Sequence, residues 1–164
     1  MTPKIKELQE TKLIGKKVSM SFTENKTGEL WRDFIPKRRE IKNNINTSLY
    51  SVEVYSDAGF FEKFDPNKIF EKWAAVEVSD HITIPFEMEK LIIPGGLYAV
   101  FPYRGKGSGA SEAYKFIYGT WIPGSVYTLD NRPHFALMGA KYRTEHPDSE
   151  EELWIPVRNK DVAV

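Results

Sequence analysis

The side chains with the most chemistry to offer lie near the C-terminus, in Glu151-Glu152-Leu153-Trp154-Ile155-Pro156-Val157. As a β-strand, this run sends Leu153, Ile155 and Val157 to one face and Glu152, Trp154 and Pro156 to the other. A carboxylate beside a Trp on an apolar strand is costly to bury unless something pairs with it. A ligand cation would relieve that cost, and each surrounding aromatic face would add about 0.5–2 kcal/mol of cation–π attraction. On a face that lines a cavity, Glu152 and Trp154 would anchor a cationic or polarised aromatic ligand. On a wet face, beside Glu150 and Glu151, they are an ordinary solvated pair.

Walls for such a pocket are available. Trp154 and Trp121 are the foremost, with Tyr118, Phe101 and Tyr50 behind them, although large aromatics at strand and helix spacing also serve as plain core. Glu53 and Glu77 interrupt strand-like runs and either could face Glu152, but a solvated outer face is the simpler expectation for both. His81, His134 and His146 lack metal-ligand spacing, so surface or capping roles are expected. Gly105-Lys106-Gly107-Ser108-Gly109 lacks the spacing and the Lys-Ser/Thr ending of a phosphate loop. With no cysteine and no Gly-x-Ser-x-Gly element, disulfides, thiolate chemistry and a serine nucleophile elbow are excluded. No metal and no cofactor is expected.

The 164 residues carry 23 basic and 23 acidic side chains, which gives no excess charge for a phosphate backbone. The basic run Lys37-Arg38-Arg39 is followed at once by Glu40 and reads as a solvated helix end. No window approaches the roughly 18–20 apolar residues that a membrane crossing needs, and the N-terminus has no signal-peptide pattern, so a cytoplasmic protein is expected. A hydrophobic fraction of 41% with 13% aromatics indicates a globular chain with a thick core or an aromatic-lined pocket.

The elements that would position these side chains occur twice. Lys17–Phe22 is strand-like and precedes Leu30-Trp31-Arg32-Asp33-Phe34-Ile35-Pro36; Leu97–Phe101 precedes Ile117-Tyr118-Gly119-Thr120-Trp121-Ile122-Pro123. Both helical runs share the pattern aliphatic-aromatic-x-x-aromatic-Ile-Pro. In the second, Tyr114, Ile117, Tyr118 and Trp121 form an i, i+3, i+4, i+7 stripe with Ser108 or Ser111 as its cap. In the first, the helix starts near Thr27-Gly28 and buries Leu30, Trp31 and Phe34. Pro36 and Pro123 should end or kink their helices. Two strand-like runs follow each helix: Leu49–Tyr55 and Trp73–Val78, then Phe135–Tyr142 and Glu152–Val157. Phe60 to Ile69, with Asp65-Pro66-Asn67, reads as an irregular connector. The expected fold is α+β: duplicated β-α-β-β units, at about residues 1–80 and 88–158 of a single domain spanning 1–164, related by a pseudo-two-fold. The sheet would be mostly antiparallel, with the helices on one face and a cleft on the axis.

Three segments, in their order and spacing, resemble the GyrI-like family, the effector-binding domain of AraC- and MerR-type regulators. They are Ile93-Pro94-Gly95-Gly96-Leu97-Tyr98-Ala99-Val100-Phe101, Ile117–Ser125 and Glu152-Leu153-Trp154-Ile155-Pro156-Val157, with Trp73–Val78 also fitting. The resemblance covers nearly the whole chain. It implies a duplicated β-α-β-β fold and a pocket for varied small molecules, often aromatic and cationic, lined by aromatics around a central glutamate that matches Glu152. Some members carry an N-terminal helix-turn-helix domain. Only a few residues precede the first strand here, so a stand-alone form that does not itself bind nucleic acid is expected.

The leading expectation is therefore a small-molecule sensor, sequestering or multidrug-binding module, of the kind used in transcription regulation. Its pocket would use Glu152, Trp154, Trp121, Tyr118, Phe101 and Tyr50. The resemblance also implies two alternatives. One is hydrolysis of electrophilic small molecules, with Glu152 as general base assisted by Tyr118. The other is a protein partner, a regulator or a topoisomerase such as DNA gyrase.

Overall fold

Runs of β-branched and aromatic residues form strands wherever they can bury one or both faces. Among the described residues there are nine strands and two main helices, and all but the mostly exposed edge strands bury such runs. The structure is a computed structural model that describes residues 1–161; residues 162–164, the end of the expected domain, lie outside the described part. The first half contains β1 (Lys4–Leu8), β2 (Thr11–Met20), α1 (Thr27–Phe34), β3 (Leu49–Val54) and β4 (Phe70–Glu77). The second contains β5 (Glu89–Ile93), β6 (Gly96–Arg104), α2 (Ala110–Phe116), β7 (Tyr127–Leu129), β8 (His134–Met138) and β9 (Glu150–Asn159). The strands run in the order β1-β6-β9-β8-β3-β4-β2-β5, with β7 added beside β9. Every pairing between named strands is antiparallel.

The registers reveal the pseudo-two-fold. Val52 pairs with Phe135 at the β3–β8 seam, and from there the row runs outward through Trp73 and Lys17 on one side and Trp154 and Val100 on the other. The opening strands β1 and β5 are exchanged: β1 pairs with β6 of the second half, and β5 with β2 of the first. Only Gln9 and Glu10 join β1 to β2, although β1 is the first strand of the order and β2 the last but one. The sheet must therefore curl until its ends meet. Gly95, in the β5–β6 turn, permits that meeting, because a Cβ there would lie 2.9 Å from the Leu8 carbonyl.

Both helices pack on the outer face of the curl. Leu30 and Phe34 of α1 cover Ile14, Ala74 and Val76, while Ala113 and Ile117 cover Ala99, Phe101, Leu153 and Ile155. Gly15 lies on the inner face, where a Cβ would sit 2.0 Å from the Ala74 carbonyl oxygen. Among the described residues, the inner face carries no helix. Leu13, Tyr50, Val52, Trp73, Ile93, Tyr98, Val100, Phe135 and Trp154 close on one another there.

Local details differ from the sequence reading in several places. Pro36 opens a 3-10 helix over Ile35–Glu40, and Pro123 lies in a final helical turn, Ile122–Gly124, reached through a π-helical turn over Ile117–Trp121. Neither Ser108 nor Ser111 caps α2, which has Gly109 at that position. Instead the Ser108 backbone N–H and hydroxyl donate to the Glu145 carboxylate, at 3.0 and 2.8 Å. The β8 strand stops at Met138, short of the expected Tyr142.

Candidate functional site

The inner face brings together three of the six expected pocket residues: Glu152, Trp154 and Tyr50. Trp154 is 8% exposed and Tyr50 7%. Phe135, on β8 between them, stacks on Trp154 with centroids 5.1 Å apart and lies 5.3 Å from Tyr50 and 5.4 Å from Tyr98. Sequence reasoning passed over Phe135, Tyr98 and Trp73 as site residues. Their alternation within strands β8, β6 and β4 placed them on this face, but only the strand order shows that those strands flank β9 and β3, which carry Glu152, Trp154 and Tyr50.

Carboxylates stand at the end of this aromatic layer nearest Tyr50. Trp154 donates its indole N–H to Glu152 Oε1 at 3.2 Å, and the Tyr50 hydroxyl donates to Glu77 Oε1 at 3.2 Å. Burial, then the negative charge of Glu77 and Glu152, pushes the Tyr50 hydroxyl far above the ordinary tyrosine range, so it stays a donor. Glu77 is therefore not a bystander on a solvated face: it is half-buried and bound to a pocket tyrosine.

The first half repeats the Glu–Trp device. Trp73 donates to Glu71 Oε1 at 3.2 Å, as Trp154 does to Glu152. The two copies differ in their charge balance. Glu71 is paired with Lys17 at 3.4 Å, and Lys17 also lies over the Trp73 ring. Among the described residues, no basic side chain lies within ion-pair distance of Glu152 or Glu77. Lys6 sits over the Trp154 ring, 5.7 Å from its centre. Among the described residues, the Glu152 end keeps its carboxylates without an ion-pair partner, whereas Glu71 has one.

The other three expected residues lie on the outer face. Phe101 is fully buried beneath Trp121, edge to face at 5.2 Å, and Trp121 stacks on Tyr127. These two anchor the α2 side of the core. Tyr118 is bonded at 2.8 Å to His134 Nδ1. The reason is parity: Phe101 and Val100 point to opposite faces of β6, and one helix can cover only one of them. Glu152 and Tyr118 are on opposite faces of the sheet, so they cannot act as base and helper on one substrate.

Two further expectations are corrected here. Glu53 is 8% exposed on the outer face and is held by Lys72, rather than being solvated. Burial raises its pKa, and Lys72 partly offsets that. His134 is buried beside it, cross-strand from Glu53, rather than on the surface. Burial first, and the Arg132 charge second, lower its pKa to about 3, so its imidazole is neutral. A strand residue beside a Lys-bearing strand reads as solvated in sequence; in the fold, Tyr118, Tyr55 and Phe61 close on His134, and Tyr114 and Tyr118 lie near Glu53. Among the described residues, no group of three or more His, Cys, Asp or Glu side chains could hold a metal. No described helix is long and apolar enough to cross a membrane.

Known proteins share this fold. The Pseudomonas aeruginosa transcriptional regulator BrlR is 24% identical over 159 residues, which are 96% of this chain and 56% of BrlR, so the chain spans little more than half of that relative. The structure of SAV2435 bound to tetraphenylphosphonium superposes with a TM-score of 0.71 at 17% identity, covering 96% of this chain and 94% of that one. The regulator EcmrR, in its complex with DNA, superposes with a TM-score of 0.69 at 16% identity over 96% of this chain and 57% of EcmrR. The family described as the GyrI-like small molecule binding domain matches residues 1–158, and the chain belongs to that family.

Proposed function

We propose that this GyrI-like small-molecule-binding domain takes a hydrophobic cation on the inner face of its curled sheet, with Glu152 as the charge partner. The observation that carries this reading is the pair of uncompensated carboxylates, Glu152 and Glu77, at the rim of an aromatic layer built from Tyr50, Phe135, Trp154 and Tyr98. A cation arriving there finds charge that its pseudo-symmetric counterpart, Glu71, already spends on Lys17. Faces of Trp154 and Phe135 add dispersion and cation–π attraction to the same ligand. Entry is from the Glu152 and Leu137 side, where both residues are only half-buried and no helix covers the sheet.

Tetraphenylphosphonium, the compound bound to SAV2435, is a suitable test ligand, because it carries a shielded charge within four aromatic rings. Glu152→Gln keeps the shape and the indole acceptor but removes the charge. It should weaken that ligand by about 1–3 kcal/mol, the scale of a lost charge-assisted contact. Titration calorimetry on both proteins gives the answer, and equal affinities would refute the assignment of Glu152.

A further inference from the structure

The outer face holds a second arrangement that the inner-face reading leaves unused. Between α1 and α2 lie the outward residues of the two central strands: Ser51 and Glu53 of β3, His134 and Ala136 of β8. Lys72, Glu53 and His134 stand in one row across three neighbouring strands. Tyr118 reaches down from the π-helical turn to His134, and Tyr55 packs edge-on against the same imidazole at 4.9 Å. Burial raises the Tyr55, Tyr114 and Tyr118 hydroxyls well above their usual range, with the Glu53 charge as the next cause for each.

Into this box the connector inserts Phe61, while its neighbour Phe60 packs against Tyr55 at 4.5 Å. Phe61 stacks on Tyr118 with centroids 4.1 Å apart and planes 11° from parallel, and meets Tyr55 edge-on at 4.9 Å. The hydrogen bonds seen for Asp57–Phe64 are local, from Phe60 N to Asp57 O and from Glu62 N to Gly59 O. The connector is tied to the body by Thr23, at Pro66 and Asn67, beyond the segment that carries Phe61. Ring contacts, rather than backbone bonds, hold Phe61 in place. The charge around the box is unbalanced: Glu53 and Glu151 both feel Lys72, His134 is neutral, and Arg132 is committed to Asp130.

We propose that this box is a second binding site, for a flat aromatic cation, and that Phe61 is its resident plug. The ligand takes the place of the Phe61 ring against Tyr118 and Tyr55, with its charge toward Glu53. Phe61 leaves on its short connector, as a ring held by contacts of the same kind that the ligand restores. Because the plug competes with the ligand, the unmodified protein binds more weakly than the open box would. The site is independent of Glu152, which lies on the other side of the sheet.

The test uses the whole chain and proflavine, a flat acridine cation, in a Glu152→Gln background. Adding Phe61→Ala should tighten proflavine binding at least tenfold, and adding Glu53→Gln to that protein should remove the gain. No gain on opening the box, or a gain that survives Glu53→Gln, overturns the proposal. Should the variants fail to fold, NMR of the unmodified protein decides: saturating proflavine must shift the His134 ring protons, and an unmoved His134 overturns the proposal. A failure of the inner-face reading would appear separately, as tetraphenylphosphonium affinity that ignores Glu152→Gln.

Discussion

His134 makes the stability of this domain depend on pH in a way that can be worked out from its surroundings. The ring is buried beside Tyr118 and Tyr55, and its folded-state pKa is about 3 against an ordinary 6.5. The folded protein refuses a proton that the unfolded chain accepts, so the stability contributed above pH 6.5 is lost as the pH falls toward 3. Between pH 7.5 and pH 5.0 this proton uptake by the unfolded state alone costs about 2 kcal/mol. Glu53 works the other way: its raised pKa lets the folded state take up its proton first, and that favours folding as pH falls. Comparison with His134→Asn, which keeps a hydrogen-bonding partner for the Tyr118 hydroxyl, removes the Glu53 contribution from the difference. Urea unfolding of both proteins at the two pH values should show the native domain losing about 2 kcal/mol more than the variant on acidification. Equal losses would refute the argument that a neutral, buried His134 is built into the fold.

Two other perturbations follow from the same packing. Lys72→Met leaves the Glu53 carboxylate buried without its cation, which should cost about 3–5 kcal/mol at pH 7. Part of that loss should return at pH 5 as Glu53 takes up a proton, and urea titration at both pH values reads it. Gly15→Ala forces a Cβ onto the Ala74 carbonyl, so it should cost about 3 kcal/mol or more, seen as a lower midpoint of thermal unfolding.

Much of the fold was legible because the signals are local. The aliphatic-aromatic-x-x-aromatic-Ile-Pro pattern marked both helical regions, and alternation marked β3, β4 and β9. The strand β1, Lys4–Leu8, was missed because its residues are almost all exposed, and it pairs only at the edge of the other half. β5 is its counterpart and escaped for the same reason. At the site, alternation placed Glu152 with Trp154, and Tyr50 joined them. It could not say that Phe101 and Trp121 belong to the opposite face, because that depends on which face α2 covers. Glu53 is the sharpest case. Its neighbours Val52 and Val54 marked a strand, but Tyr114 and Tyr118, whose hydroxyls feel its charge, come from a helical region far away in sequence.

The duplication also explains why one half carries the proposed inner-face site. Both halves hold a Trp indole against the carboxylate two residues before it, which ties the side chains of β4 and β9 in the same way. Lys17 neutralises the first copy, and its register equivalent in the second half is the apolar Val100. A single difference between equivalent positions thus leaves Glu152 without a cation of its own.

The four tryptophans offer the most direct test of the central claim, because Trp73 and Trp154 lie on the inner face while Trp31 and Trp121 lie on the outer. Their indole N–H signals can be followed by NMR during titration with tetraphenylphosphonium. An inner-face site requires Trp154 to shift most, with Trp31 and Trp121 unmoved, and requires Glu152→Gln to weaken the response. Shifts confined to Trp121 or Trp31, or no shift at saturating ligand, would contradict it.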